Sequence, residues 1–341
     1  MRLRETLYGK LLLLVCSLAL TLGFFEGGAR LLGYEPEPPT VTDMFAWSKT
    51  GEFWVLPPGR DRLTNIGNYM VRVNDYGVRG TQIGDKTPGR PRILFLGDSV
   101  TFGYALPEEK IFAYLLNESE LPGTGSIEVI NAAVAGWSAR QYRMFLERHA
   151  EDLQPDIVLV GIVLNDLTEL LNGVRESASG TSIAAMNMLS ALAQKWAAVA
   201  ALKHAYVVLA DPREREIESV REFAERPDSR AVREAMRLHL EELTLTHEFA
   251  SERGIPLGLV LFPFMFQLRN PDMDNPQQQM RQFGAERDIP VLDTIEALRT
   301  QPAGKVMLDY LHLSPTGHQI VADAVLDWLP ESGLLADAAS D

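Results

Sequence analysis

The chain has 341 residues, 46% hydrophobic and 23% charged, with a formal net charge of −14 at pH 7 and a single cysteine. So acidic a body repels nucleic-acid phosphates and anionic lipid headgroups, which argues against a nucleic-acid partner and against docking on anionic bilayers through a basic face. One cysteine leaves no disulfide and no thiolate metal site, so the fold must rest on its apolar core.

Residues 11–25 carry no charge, and Tyr8 and Gly9 extend the run behind Lys10, whose long stem can snorkel. Arg2, Arg4 and Lys10 precede the run, while Glu26, Glu35 and Glu37 follow it. This pattern predicts an N-terminal transmembrane helix with its basic end cytoplasmic and the body extracytoplasmic, either periplasmic or at the cell surface. Gly27-Gly28-Ala29 offers small residues for cleavage, but Glu26 and Arg30 crowd them and Leu31-Leu32 continues the apolar pattern. Residues 1–32 therefore read as an uncleaved signal anchor. Cys16 follows Val15 rather than a small residue, which argues against a lipoprotein site. Four basic and two acidic side chains in the first thirty residues leave the remainder near −16.

Residues 33–90 read as a linker and lead-in. Glu35-Pro36-Glu37-Pro38-Pro39 and Pro57-Pro58-Gly59 predict a loosely ordered stretch over 33–60. Tyr69-Met70-Val71-Arg72-Val73-Asn74 alternates like a strand, and Asp75-Tyr76-Gly77 reads as a turn.

Residues 91–330 carry short apolar strand signals at 92–97, 127–131, 156–162, 257–262 and 289–292, as strands covered on both faces should. Helical patterns lie between them at 107–119, 139–152 and 229–252, the last closed by Gly254. The alternation predicts an α/β fold, a doubly wound five-stranded parallel sheet with ligands at the carboxyl ends of its strands. Residues 167–228 are an insertion: Ile183 to Leu209 is Ala- and Leu-rich, and Asp211 to Arg226 is densely charged. It reads as a surface helical pair, or as a lid or membrane-facing element. A last helix is expected from Ser314-Pro315 to Trp328, with 331–341 a flexible tail.

The first strand, Arg92-Ile93-Leu94-Phe95-Leu96, runs into Gly97-Asp98-Ser99-Val100. A serine on a tight glycine turn at the end of a strand is where an α/β sheet displays a nucleophile. Far downstream stands Asp309-Tyr310-Leu311-His312, in which an Asp and a His three apart can face the same way. Asp293 is the rival carboxylate, and the three-residue spacing favours Asp309. Ser99, His312 and Asp309 together supply nucleophilic acyl transfer. Such chemistry needs donors where the oxyanion forms, and the N–H groups of Ser99 and Gly136 and the amide of Asn165 are candidates. Taken singly, Gly136 is a turn glycine and Asn165-Asp166 a helix cap. Four such residues in this order at strand ends exceed coincidence. Asp98 and Asp166 are expected to bond backbone, and His318 to be a surface or capping histidine rather than a second base. His149, His204, His239 and His247 lack paired ligand spacing, so no metal is expected. With no phosphate loop and no dinucleotide fingerprint, no cofactor is expected either.

On Ser99, Gly136, Asn165 and His312, with Asp309 as the triad carboxylate, the chain resembles the SGNH (GDSL-type) hydrolases over about residues 91–330. The blocks Gly97 to Gly103 and Asp309-x-x-His312, with Leu313-Ser314-Pro315-Thr316-Gly317-His318 after it, match closely. The third block departs, with Val163 where the family has glycine and Gly161 two residues earlier. The resemblance implies the flavodoxin-like strand order 2-1-3-4-5 and a serine esterase working through an acyl-enzyme without a cofactor. It implies an acylated small molecule or polysaccharide as substrate, with O-acetyl esters of an envelope or extracellular glycan foremost. An O-acyltransferase using the same triad, a lipid esterase or thioesterase, and a non-catalytic envelope scaffold are the alternatives. Asn74-Asp75-Tyr76-Gly77-Val78-Arg79-Gly80 resembles a segment that precedes the catalytic domain in membrane-anchored members of the family.

Overall fold

The computed structural model describes residues 2–36, 46–48, 53–59, 62–66, 69–121, 123–171, 188–189, 191–210 and 212–338. They fall into two units, Met1–Asp43 with Ser179–Glu214, and Met44–Ala178 with Arg215–Asp341.

The second unit is built on strands β1 (Arg92–Gly97), β2 (Glu128–Ala133), β3 (Ile157–Ile162), β4 (Leu257–Leu261) and β5 (Val291–Asp293). All neighbours pair in parallel, in the order β5-β4-β3-β1-β2. This is the expected 2-1-3-4-5. Successive residues of a strand point to opposite faces, so a strand covered on both sides must be apolar throughout. Leu94, Leu96, Val158 and Val160 join one buried cluster with Tyr142, Phe145, Met236 and Leu243. Ile93, Phe95, Ile157 and Leu159 join another with Phe112, Leu116, Val321 and Val325. Helix α3 (Ala139–Leu153) and helix α5 (Arg230–Ser251) thus cover one face, and helix α6 (Pro315–Glu331) the other.

The strand order reverses between β1 and β3, so the segments leaving these strands diverge and open a crevice at their carboxyl ends. Helix α2 (Ser99–Phe102) follows β1, and helix α4 (Asn165–Leu171) follows β3.

Two expectations need correction. The lead-in is not loosely ordered where it is described. Phe53 and Leu56 are fully buried, Ala46–Trp47 pairs with Trp54–Val55, and Arg62–Ile66 pairs with Tyr69–Val73. Proline and glycine report where the backbone turns, not whether the side chains between them are buried. Residues 37–45, 49–52, 60–61 and 67–68 of the lead-in lie outside the described residues. The tail is not free either: Leu334–Ala338 is helical, and Leu334 packs on the sheet at Gly258. Residues 339–341 lie outside the described set.

In the first unit, helix α1 (Arg2–Leu31) contains the one described stretch long and apolar enough to cross a membrane, Tyr8–Leu31, with 24 residues and a mean hydropathy of 1.9. The helix Ala197–Ala210 packs against α1. The Glu26 carboxylate accepts hydrogen bonds from the N–H groups of Ala197 and Ala198, at 3.2 and 3.0 Å, and so fills orphan donors at that helix start. Of the expected insertion, residues 172–187, 190 and 211 lie outside the described set.

Candidate active site

Ser99 is displayed by a short, crowded turn. Asp98 caps α2, its Oδ1 accepting from the Val100 N–H at 2.9 Å. Gly103 ends the helix in the left-handed region at φ 77°. A Cβ on Gly97 would stand 2.2 Å from Thr101 Oγ1, and one on Gly161 would stand 2.3 Å from the same atom. Both glycines let α2 settle onto the ends of β1 and β3. Gly161, the offset glycine of the third block, therefore has a packing reason for its position. Val163 is buried and lies outside the left-handed region, so its backbone tolerates a branched side chain.

The loop before α6 brings the remaining triad candidates to Ser99. His312 Nε2 lies 3.0 Å from Ser99 Oγ, and His312 Nδ1 lies 2.9 Å from Asp309 Oδ2. The other Asp309 oxygen accepts from the backbone N–H groups of Leu311 and His312, both at 2.8 Å. Burial alone would push the Asp309 carboxyl up, but the His312 ring and these N–H groups outweigh it and hold the group down at about 2. An ionised Asp309 accepting from Nδ1 fixes the proton there and leaves Nε2 to accept from the serine hydroxyl. Asp293 is held elsewhere, by Arg281 and the Ile295 N–H.

Asn165 begins α4, 5% exposed, and its Nδ2 donates to Asp98 Oδ2 at 3.2 Å. Asp98 also lies 3.3 Å from Ser99 Oγ. Burial raises the Asp98 carboxyl above its usual range, and the Val100 N–H, the Asn165 amide, His312 and the Ser99 hydroxyl recover only part of the shift. The Ser99 hydroxyl thus sits between two acceptors, with the imidazole nearer. Gly136 stands at φ 80° in the turn after β2 and makes no hydrogen bond to Ser99, His312 or Asp309 among the described residues. Its turn is tied down on both sides: the Val134 N–H donates to the Gly97 carbonyl at 3.3 Å, and Trp54 Nε1 donates to the Ala135 carbonyl at 3.4 Å.

Several partners could not be read from the sequence. Asp166 holds the third block by accepting from the Tyr142 hydroxyl at 2.9 Å and the Val163 N–H at 3.2 Å. The Tyr104 ring lies against the His312 ring, centroids 4.8 Å apart and planes 30° apart. Tyr104 directly follows Gly103, and that adjacency was the available signal. His318 is not a surface or second-base histidine: it is buried, accepts the Phe112 N–H at Nδ1, and stacks on the Phe112 ring.

The chain matches the GDSL-like lipase/acylhydrolase family over residues 95–320. No curated protein matches it. Among solved structures it is similar to a G-D-S-L family lipolytic protein from Veillonella parvula, at 15% identity and a TM-score of 0.43 over 69% of this chain and 96% of that one. It is similar to a catalytic mutant of Axe2, an acetylxylan esterase from Geobacillus stearothermophilus, at 18% identity and a TM-score of 0.43 over 74% and 96%. The esterase EstA from Pseudoalteromonas sp. is similar at 14% identity and a TM-score of 0.43 over 70% and 97%.

Proposed function

Because this chain belongs to the GDSL-like lipase/acylhydrolase family, we propose that it is a serine esterase anchored by its N-terminal helix, with its α/β unit outside the membrane. The observation that carries the chemistry is the unbroken chain Ser99 Oγ, His312 Nε2, His312 Nδ1, Asp309 Oδ2, with links of 3.0 and 2.9 Å. Ser99 attacks the acyl carbonyl while His312 takes its proton. Asp309 keeps the imidazole in the required tautomer and stabilises the imidazolium. The N–H groups of Ser99 and Gly136 and the free N–H of the Asn165 amide receive the oxyanion. His312 then returns the proton to the leaving alcohol, and water resolves the acyl-enzyme by the same path in reverse. O-acetyl esters on an envelope or extracellular glycan are the proposed substrates. The acidic body supports a neutral polymer over an anionic bilayer surface as the partner.

The test treats full-length protein with a fluorophosphonate and reads intact mass, beside Ser99→Ala. One adduct on the parent and none on the variant is expected. A folded parent that takes no label would remove the enzyme reading. On membranes, the labelled chain should resist alkaline extraction, and its release would remove the anchor reading. Incubation with an acetylated glycan, with and without an unacetylated acceptor, separates hydrolysis from transfer.

A further inference from the structure

The segment Asn74 to Gly80 has a place in this site. Asn74 Oδ1 accepts from the N–H groups of Tyr76 and Val78, at 3.0 and 3.4 Å, and the Gly77 N–H closes the turn onto the Asn74 carbonyl. The turn presents Arg79, 2% exposed, to the loop leaving α2. Arg79 Nη1 donates to the carbonyls of Phe102 and Gly103, at 2.9 and 2.8 Å, and Nη2 donates to that of Leu106, at 2.7 Å. The guanidinium carbon lies 5.0 Å from the centre of the Phe102 ring.

These carbonyls bracket Tyr104, whose ring lies on His312. They also bracket Ala105, a non-glycine residue in the left-handed region at φ 61°. A backbone held there relaxes unless its surroundings fix it. A buried cation bonded to three carbonyls is such a fixture: a planar fork holds separated acceptors from two nitrogens in fixed directions, whereas an ammonium gathers its rotatable donors on one nitrogen. Burial draws the Arg79 guanidinium down to about 10, with Glu108 and Glu109 opposing, so it stays charged at neutral pH.

We propose that Arg79 is a positioning residue of the active site, holding the loop 102–106 so that the Tyr104 ring fixes the plane of the His312 imidazole. The proposal rests on the esterase reading above. Asp309 bonds one edge of the imidazole and leaves rotation about that bond open; Tyr104 closes it. His312 Nε2 then stays aligned on Ser99 Oγ between turnovers. The lead-in ahead of the hydrolase blocks is, on this view, part of the catalytic unit.

The test measures p-nitrophenyl acetate turnover per active site, with sites counted by fluorophosphonate labelling, for Arg79→Lys, Tyr104→Ala, Tyr104→Phe and the double variant Arg79→Lys/Tyr104→Ala. Arg79→Lys and Tyr104→Ala should each lower kcat per labelled site by about 10- to 100-fold, with KM within about twofold. Tyr104→Phe, which keeps the ring, should recover most of the loss. The double variant should fall no further than Tyr104→Ala alone. A merely structural role would lower the number of labelled sites and leave turnover per site intact, and that result would overturn the proposal. Fully additive losses would overturn it as well. Should Arg79→Lys fail to fold, the two Tyr104 variants still decide whether the ring acts on His312. A folded parent that takes no label would overturn the esterase reading and this proposal together; a labelled parent with unaffected variants would overturn the positioning role alone.

Discussion

Asp98 and Asn165 make one device from two blocks far apart in sequence. The Asn165 amide has two N–H groups, and one is spent on Asp98 at 3.2 Å, which orients the other. Asn165→Ala should lower kcat about 100- to 1,000-fold, the effect of removing one oxyanion donor, while Ser99 stays in place. Asn165→Asp should be worse for stability than Asn165→Ala, because it sets a second carboxylate against the buried Asp98. Steady-state kinetics and urea midpoints on the two variants check this; equal kcat in parent and Asn165→Ala would remove the amide from the oxyanion hole. Asp309 shows how little can be read from burial alone. Its half-buried position favours the neutral acid, yet three N–H donors keep it ionised to about pH 2.

Helix α2 has only four residues, and its stability comes from its fit rather than its length. Thr101 is fully buried between Gly97 and Gly161, and its Oγ1 has no hydrogen-bond partner among the described residues. Adding a methyl at position 161 forces Thr101 Oγ1 and the Phe262 ring, 2.3 and 2.9 Å away, to move. Gly161→Ala should therefore cost about 1–3 kcal/mol in unfolding free energy. Thr101→Ala removes an unbonded hydroxyl at little cost but also a buried Cγ2 methyl, so it should cost about 1 kcal/mol. The double variant Gly161→Ala/Thr101→Ala should regain part of the loss. Chemical denaturation of the three variants reads this, and strict additivity would contradict the shared-space argument.

Across the whole molecule, two buried histidines tie stability to pH. His239 is fully buried with neither ring nitrogen bonded among the described residues, and burial pulls it down to about 3. His318 is also pulled down to about 3, by burial first and then by the charges of Arg79 and His312. In the unfolded chain both take up protons below about pH 6.5, whereas the folded protein refuses them until about 3. The stability these two histidines contribute is therefore complete above about pH 6.5 and is lost as the pH drops towards 3. His239→Leu removes one of the two contributions, so its urea midpoint should fall less than that of the parent between about pH 7.5 and about pH 5. Equal falls would mean that His239 is not a source of the dependence.

The five strands, their parallel pairing and the candidate residues at strand ends were legible because each rests on a local signal. An apolar run covered on both faces, a glycine turn after it, and an Asp three residues before a His can all be seen within a few positions. The lead-in and the tail were misjudged for the complementary reason. Phe53, Leu56 and Leu334 are buried by residues distant in sequence, and proline-rich or terminal composition carries no record of that. Asp98 gripping Asn165, Tyr104 lying on His312, Thr101 filling the gap between Gly97 and Gly161, and Arg79 reaching three carbonyls all join segments with no shared local pattern. The chemical groups the chain possesses and the layered sheet that carries them follow from the order of its residues, because periodicity and turn chemistry act over a few positions. Which groups meet, and in what orientation, emerges from the folded chain, because those distances depend on how separate segments close around the carboxyl ends of β1 and β3.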